Sequence, residues 1–124
     1  MTSVPCSLGE IFDKISILEI KSINLKSLSK LNSVRSELLV LRSLVEMDLL
    51  LYEHLYFELL HVNKKIWIVV DRQYSLEKQG TVDTLEFAKI SYEALNLNRI
   101  RFMVKAKINS VSGSEIAEQK QFGD

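Results

Sequence analysis

Asn98, Arg101, Lys105 and Asn109 advance by three, four and four positions, which on a helix sets two cations and two amides along one line. Such a line can be a solvated face, the ordinary expectation. It can also turn inward and hold a carboxylate or phosphate through charge-assisted hydrogen bonds. Arg99 and Lys107 make the same stretch locally basic. A second grouping lies near the N-terminus, where Glu10, Lys14 and Lys21 fall near one helical face with Asp13 and Glu19 on its flanks. Glu10 and Lys14 also have the spacing of an ordinary surface ion pair. Read as chemistry, Asp13, Lys14, Glu19, Lys21, Asp71, Asn98, Arg101 and Lys105 form the candidate ligand-binding set. The cations would surround an anion, and Asp13, Glu19 or Asp71 would serve as acid–base groups.

Asn63, Trp67 and Asp71 recur every four residues, so amide, indole and carboxylate share a face. Asp71 could accept from the indole N–H or from Arg101 if the helices align, and a buried indole does need a partner. His54, Glu58 and His61 also share a face, and Glu58 to His61 has the Glu-x-x-His spacing of carboxylate-bridged metal bundles. Such bundles need a second element of this kind, which only a symmetric dimer would supply. Histidine on a bundle surface is the commoner state, so no metal and no cofactor are expected. No catalytic residue is assigned. Cys6, beside Pro5, has no base marked out near it, no Ser/His/Asp set is visible, and there is no glycine-rich phosphate loop.

The elements that must position these groups are helices. Between Gly9 and Gly80 the chain carries neither glycine nor proline. Ser7-Leu8-Gly9-Glu10 has the capping-box pattern and starts a helix over 7–24, with Leu8, Ile11, Phe12, Ile15 and Leu18 at helical spacing. After a serine-containing joint, Leu31, Val34, Leu38, Leu41 and Val45 mark a second helix over 30–45. A third is expected over 46–79, with clustered leucines and aromatics too broad for a single stripe. Its Ile66 to Val70 run is β-branched and could form a strand in isolation, but no turn signal flanks it. Gly80 is placed for a left-handed cap, and Asp83-Thr84-Leu85-Glu86 repeats the capping box to open a helix over 83–112. Leu85, Ala88, Tyr92, Leu95, Arg99, Phe102, Ala106 and Asn109 fall near one face of it, and a polar tail fills 114–124.

The fold class expected is therefore all-α, one domain built as an antiparallel helical bundle. A helix of about thirty residues is roughly 45 Å long, more than the diameter of a domain of 124 residues. Long helices with broad apolar faces predict a bundle completed by a second copy, a homodimer.

Composition narrows the function classes. Sixteen Lys and Arg balance sixteen Asp and Glu, so no net field draws the whole chain to nucleic acid or to an acidic membrane. A single cysteine excludes an intrachain disulfide, and no stretch is long and apolar enough to span a membrane. Residues 1–7 lack the basic and apolar blocks of a signal peptide, so a cytoplasmic location is expected.

Gly9-Glu10, Asp13-Lys14, Ile17 to Lys21, Asn32, Glu37-Leu38, Asn63, Trp67 and Asp71-Arg72 together form a pattern. It continues through Asn98, Arg101, Lys105, Ile108-Asn109, Ser114 and Glu118 to Lys120. With these residues in this order the chain resembles an uncharacterised bacterial family, domain of unknown function 6165, over nearly its whole length. The stretch Asp48 to Leu60 has no counterpart in that pattern. The resemblance implies a small helical bacterial protein without an established activity. Two functions are carried forward: a non-enzymatic dimeric interaction or scaffold module, and a small-anion-binding protein or enzyme comparable to the helical chorismate mutases. Those enzymes favour arginine in their electrostatic sites, whereas the first helix here offers only Lys14 and Lys21.

Overall fold

The computed structural model describes residues 6–114, and the expected polar tail lies beyond Ser114, outside them. Five helices pack together: α1 (Leu8–Asn24), α2 (Leu28–Leu44), α3 (Glu46–Leu51), α4 (Glu53–Lys78) and α5 (Leu85–Ser112). No strand occurs among the described residues, so Ile66 to Val70 is helical. α1 lies against α2, α4 and α5, and α4 packs along α5.

The ends of these helices follow from local chemistry. Ser7 is the N-cap of α1, its Oγ accepting from Glu10 N at 3.3 Å. The return half of that capping box is absent, because the Glu10 carboxylate goes to Lys105. α4 ends where Gly80, at φ +71°, lets Thr81 N–H reach back to the Leu76 carbonyl at 3.0 Å. α5 begins one position later than the sequence suggests, with Thr84 as N-cap, its Oγ1 donating to the Thr81 carbonyl at 2.7 Å and accepting from Phe87 N at 3.2 Å. Glu86 is turned aside to Arg72 on α4.

Two expectations are corrected. The single helix expected over 46–79 bends at Tyr52, whose φ of −113° and ψ of 32° separate α3 from α4. The stripe Leu85, Ala88, Tyr92, Leu95, Arg99, Phe102 and Ala106 faces away from the bundle. The opposite side of α5, carrying Ile90, Ala94, Leu97, Arg101, Val104 and Ile108, packs inward. Both stripes repeat at helical spacing, so periodicity alone does not choose between them.

The main core joins Phe12 and Ile15 of α1, Leu55, Tyr56 and Leu59 of α4, and Val104 and Ile108 of α5. Phe12 and Tyr56 meet edge to face, with ring centroids 5.8 Å apart. Leu59 is fully enclosed, so truncation to alanine there costs about 2–5 kcal/mol. α2 buries no residue completely and covers α1 from one side.

Candidate functional site

A row of polar side chains runs through the contact between α1, α4 and α5. Its centre is Asp13, buried among Phe12, Ile15 and the facing helices. The Arg101 guanidinium meets this carboxylate with two parallel bonds, Nε to Oδ1 at 2.8 Å and Nη2 to Oδ2 at 2.5 Å. Asn63 donates from Nδ2 to Asp13 Oδ1 at 2.9 Å and to Ser16 Oγ at 2.7 Å. Ser16 in turn donates to the Asp13 carbonyl at 2.7 Å. Lys105 stands 3.9 Å from Asp13 Oδ2 and 2.5 Å from Glu10 Oε1. No buried side-chain nitrogen or oxygen among the described residues is left without a partner.

The electrostatics follow from these contacts. Burial pushes the Asp13 carboxyl up, but the hydrogen bonds from Arg101 and Asn63 and the charges of Arg101 and Lys105 outweigh it. The net effect holds Asp13 below its ordinary value. Arg101 is shifted upward by its hydrogen bond to Asp13, against the opposing effect of burial. Both groups are therefore ionised through the neutral range.

The row continues to the start of α1. Asn109 Oδ1 accepts from Gly9 N at 2.7 Å, so a side chain of α5 satisfies a backbone donor that the first turn of α1 leaves open. This closeness requires glycine: a Cβ at position 9 would lie 2.6 Å from the Lys105 carbonyl oxygen and 2.7 Å from Asn109 Oδ1. On the other side of α1, Tyr56 donates to Glu19 Oε2 at 2.6 Å and Arg42 of α2 pairs with the same carboxylate. Burial raises the Tyr56 hydroxyl, partly countered by the Arg42 charge.

The sequence-derived candidates thus divide. Asp13, Arg101 and Lys105 come together, and Arg101, Lys105 and Asn109 turn inward rather than forming the solvated face expected of them. What they hold is the chain's own acids and backbone. Asn98 lies exposed and bonds only to the Ala94 carbonyl of its own helix. Lys14 reaches out to Glu37 of α2 at 2.9 Å, while Lys21 lines a shallow surface groove with Leu25 and Val34. Glu19 belongs to the Tyr56 and Arg42 contact. The pairing of Asp71 with Arg101 is not made, because Asp13 takes the guanidinium. Asp71 instead lines a largely apolar groove of about 420 Å³ with Ile17, Ile66, Trp67 and Arg101. His54, Glu58 and His61 are exposed on α4, and no group of three potential ligands converges for a metal among the described residues.

Sequence reasoning omitted Ser16, Tyr56 and Arg42 from the site, and set Asn63 on a face with Trp67 and Asp71 rather than beside Asp13. The signal available for Ser16 was its position three after Asp13, in a run where Phe12 and Ile15 are apolar and buried. Gly9, Glu10, Asp13, Asn63, Arg101, Lys105 and Asn109 line this one polar row. Comparison of the chain with protein-family models, with curated proteins and with solved structures finds no match.

Proposed function

We propose that this chain is a non-enzymatic helical interaction module that works as a homodimer and presents its outward apolar surfaces to proteins. The observation that carries this reading is a division of labour between side chains. The cations that could have held an anion are engaged by Asp13 and Glu10, while Leu39, Leu44, Met47, Tyr92 and Phe102 lie mostly in solvent. Exposed apolar residues in such number mark contact surfaces rather than a finished exterior. The anion-binding or chorismate-mutase-like alternative asks for unclaimed cations around a cavity, and Lys14 and Lys21 point to separate places.

The same reading takes the chain as a relative of domain of unknown function 6165, with its characteristic polar residues serving the helix junction. It places the chain in the cytoplasm, where the exposed thiol of Cys6 stays reduced. No helix of the described residues is long and apolar enough to cross a membrane. Sedimentation equilibrium of the untagged chain tests the proposal. A dimer mass over the micromolar range, with no thermal stabilisation by inorganic phosphate or a dicarboxylate, is expected. A monomer throughout, or a saturating stabilisation by either anion, overturns it.

A further inference from the structure

Asn63 is 4% exposed and donates from Nδ2 to Asp13 and Ser16 of α1. These partners fix the orientation of the amide, because the reversed group would set its oxygen against the Asp13 carboxylate. Oδ1 accepts from no described residue. No fully enclosed side-chain oxygen among the described residues lacks a partner, so Oδ1 reaches open space. The space that Asn63 lines is the groove of about 420 Å³ beside the end of α1.

The groove exists because the helices differ in length. Ile20, Asn24 and Trp67 line one small pocket, so α1 stops level with Trp67 while α4 continues to Lys78. The apolar side of α4 is open from there on. Ile17, Ile20, Ile66 and Val70 form walls, together with the rings of Trp67 and Tyr74. Asp71 is the one acid lining this groove, is exposed, and makes no ion pair with a described residue. Arg101 lines it too, with its charge answered by Asp13 through Nε and Nη2, while its Nη1 donates to no described residue. Two further cations stand near. The Lys78 ammonium lies 4.9 Å from the Tyr74 ring centroid, and Lys64 borders the small pocket at Trp67. Neither pairs with Asp71, and the Lys78 contact shows that this aromatic wall takes a cation.

A wholly apolar occupant would strip water from Asn63 Oδ1, Arg101 Nη1 and the Asp71 carboxylate and return no hydrogen bond to any of them. A peptide answers all three. Its backbone supplies an N–H for Oδ1 and a carbonyl for Nη1, and a basic side chain supplies the counter-charge for Asp71. We infer that this groove receives a segment of a partner protein carrying an arginine among aliphatic residues. The guanidinium stacks on Trp67 and forks onto Asp71, and the aliphatic neighbours cover Ile17, Ile20 and Val70. The inference rests on the reading of the chain as a protein-interaction module and specifies the partner's chemistry; it does not depend on the dimer.

Trp67 is the chain's one tryptophan, so its emission reports on the groove. The probe is the peptide acetyl-Leu-Arg-Leu-Leu-amide, titrated into the untagged chain and followed by fluorescence and by calorimetry. Saturable binding with half-saturation below about 1 mM is expected. The same peptide with citrulline for arginine keeps the shape without the charge and should bind at least tenfold more weakly. Asp71→Asn should weaken the arginine peptide to the same degree and leave the citrulline peptide unaffected. Position 71 is exposed, so circular dichroism of this variant should match the parent chain. Glu58→Gln, which removes an exposed acid outside the groove, should bind like the parent. An absence of saturable binding, or equal binding by the parent and Asp71→Asn, overturns the inference. Argininamide alone binding as tightly as the peptide also overturns it, by showing a site for a free organic cation. Sedimentation keeps the two claims apart: a dimer that ignores the peptide sinks this inference alone, and a monomer that binds it sinks only the dimer.

Discussion

Arg101 meets Asp13 with Nε on one carboxylate oxygen and Nη2 on the other, so α5 is tied to α1 by a forked pair rather than a single contact. The carboxylate is almost wholly enclosed and the guanidinium partly so. Removing Arg101 leaves the buried Asp13 carboxylate with Lys105 at 3.9 Å and the Asn63 hydrogen bond as its remaining support, and the cost is governed by the charge left behind. Arg101→Met should lower the unfolding free energy by about 2–4 kcal/mol, discounted from the fully buried case for the remaining exposure of the guanidinium. Urea denaturation followed by circular dichroism reads it. A loss below about 0.5 kcal/mol, the scale of an exposed pair, would show that the pair contributes as a surface contact does.

The depressed Asp13 carboxyl predicts an acid limit. Its ordinary value is about 3.9 in the unfolded chain, and the folded value lies below that. The folded state therefore gains from this group at all higher pH. The gain declines from about pH 4 downward and is gone once the pH has fallen through the folded value. Asp13→Asn should be less stable than the parent at pH 7 and should show a flatter decline between about pH 4 and pH 2. Denaturation midpoints measured across that interval check it. Parallel declines in the two proteins would assign acid sensitivity to other carboxylates.

Gly9→Ala tests the approach of α1 to α5. The added methyl meets the Lys105 carbonyl oxygen, which as backbone cannot rotate away, so the two helices must separate and lengthen the Asn109 to Gly9 bond. Overpacking of this kind costs about 1–3 kcal/mol, although alanine is the better helix former. Thermal melting gives the sign: a rise in the transition would mean that the helix preference outweighs the clash.

Lys14 and Lys21 provide the contrast. Lys14 pairs with Glu37 where both side chains are largely in water, and its replacement by alanine should change stability by no more than about 0.5 kcal/mol. Lys21→Ala, in the shallow groove by α2, should be equally mild. A large loss in either, read by the same denaturation curves, would place these lysines in a network the present contacts do not contain.

The helices themselves were legible because their ends carry local chemistry. Ser7 and Gly80 each solve a backbone problem that sequence spacing announces, whereas the cap of α5 falls on Thr84, one residue after the Asp83 that the spacing suggests. The bend at Tyr52 was not legible, since no glycine or proline marks it and the surrounding leucines continue on both sides. The polar row was visible only as spacing on separate helices. Nothing in the position of Arg101 distinguishes a solvated cation from one aimed at Asp13, because their partnership is set by how α5 lies against α1. The same limit explains the outward stripe of α5. Arg99 sits in one apolar face and Arg101 in the opposite one, so only tertiary packing reveals which arginine is turned in.

Native mass spectrometry of the untagged chain, purified gently and sprayed from a volatile buffer at neutral pH, tests the central claim most directly by reading subunit number and retained mass together. The account predicts a dimer whose mass is twice that of the polypeptide, with no stoichiometric small molecule. A monomer, or a species carrying one bound anion per chain that solution activation fails to remove, would contradict it.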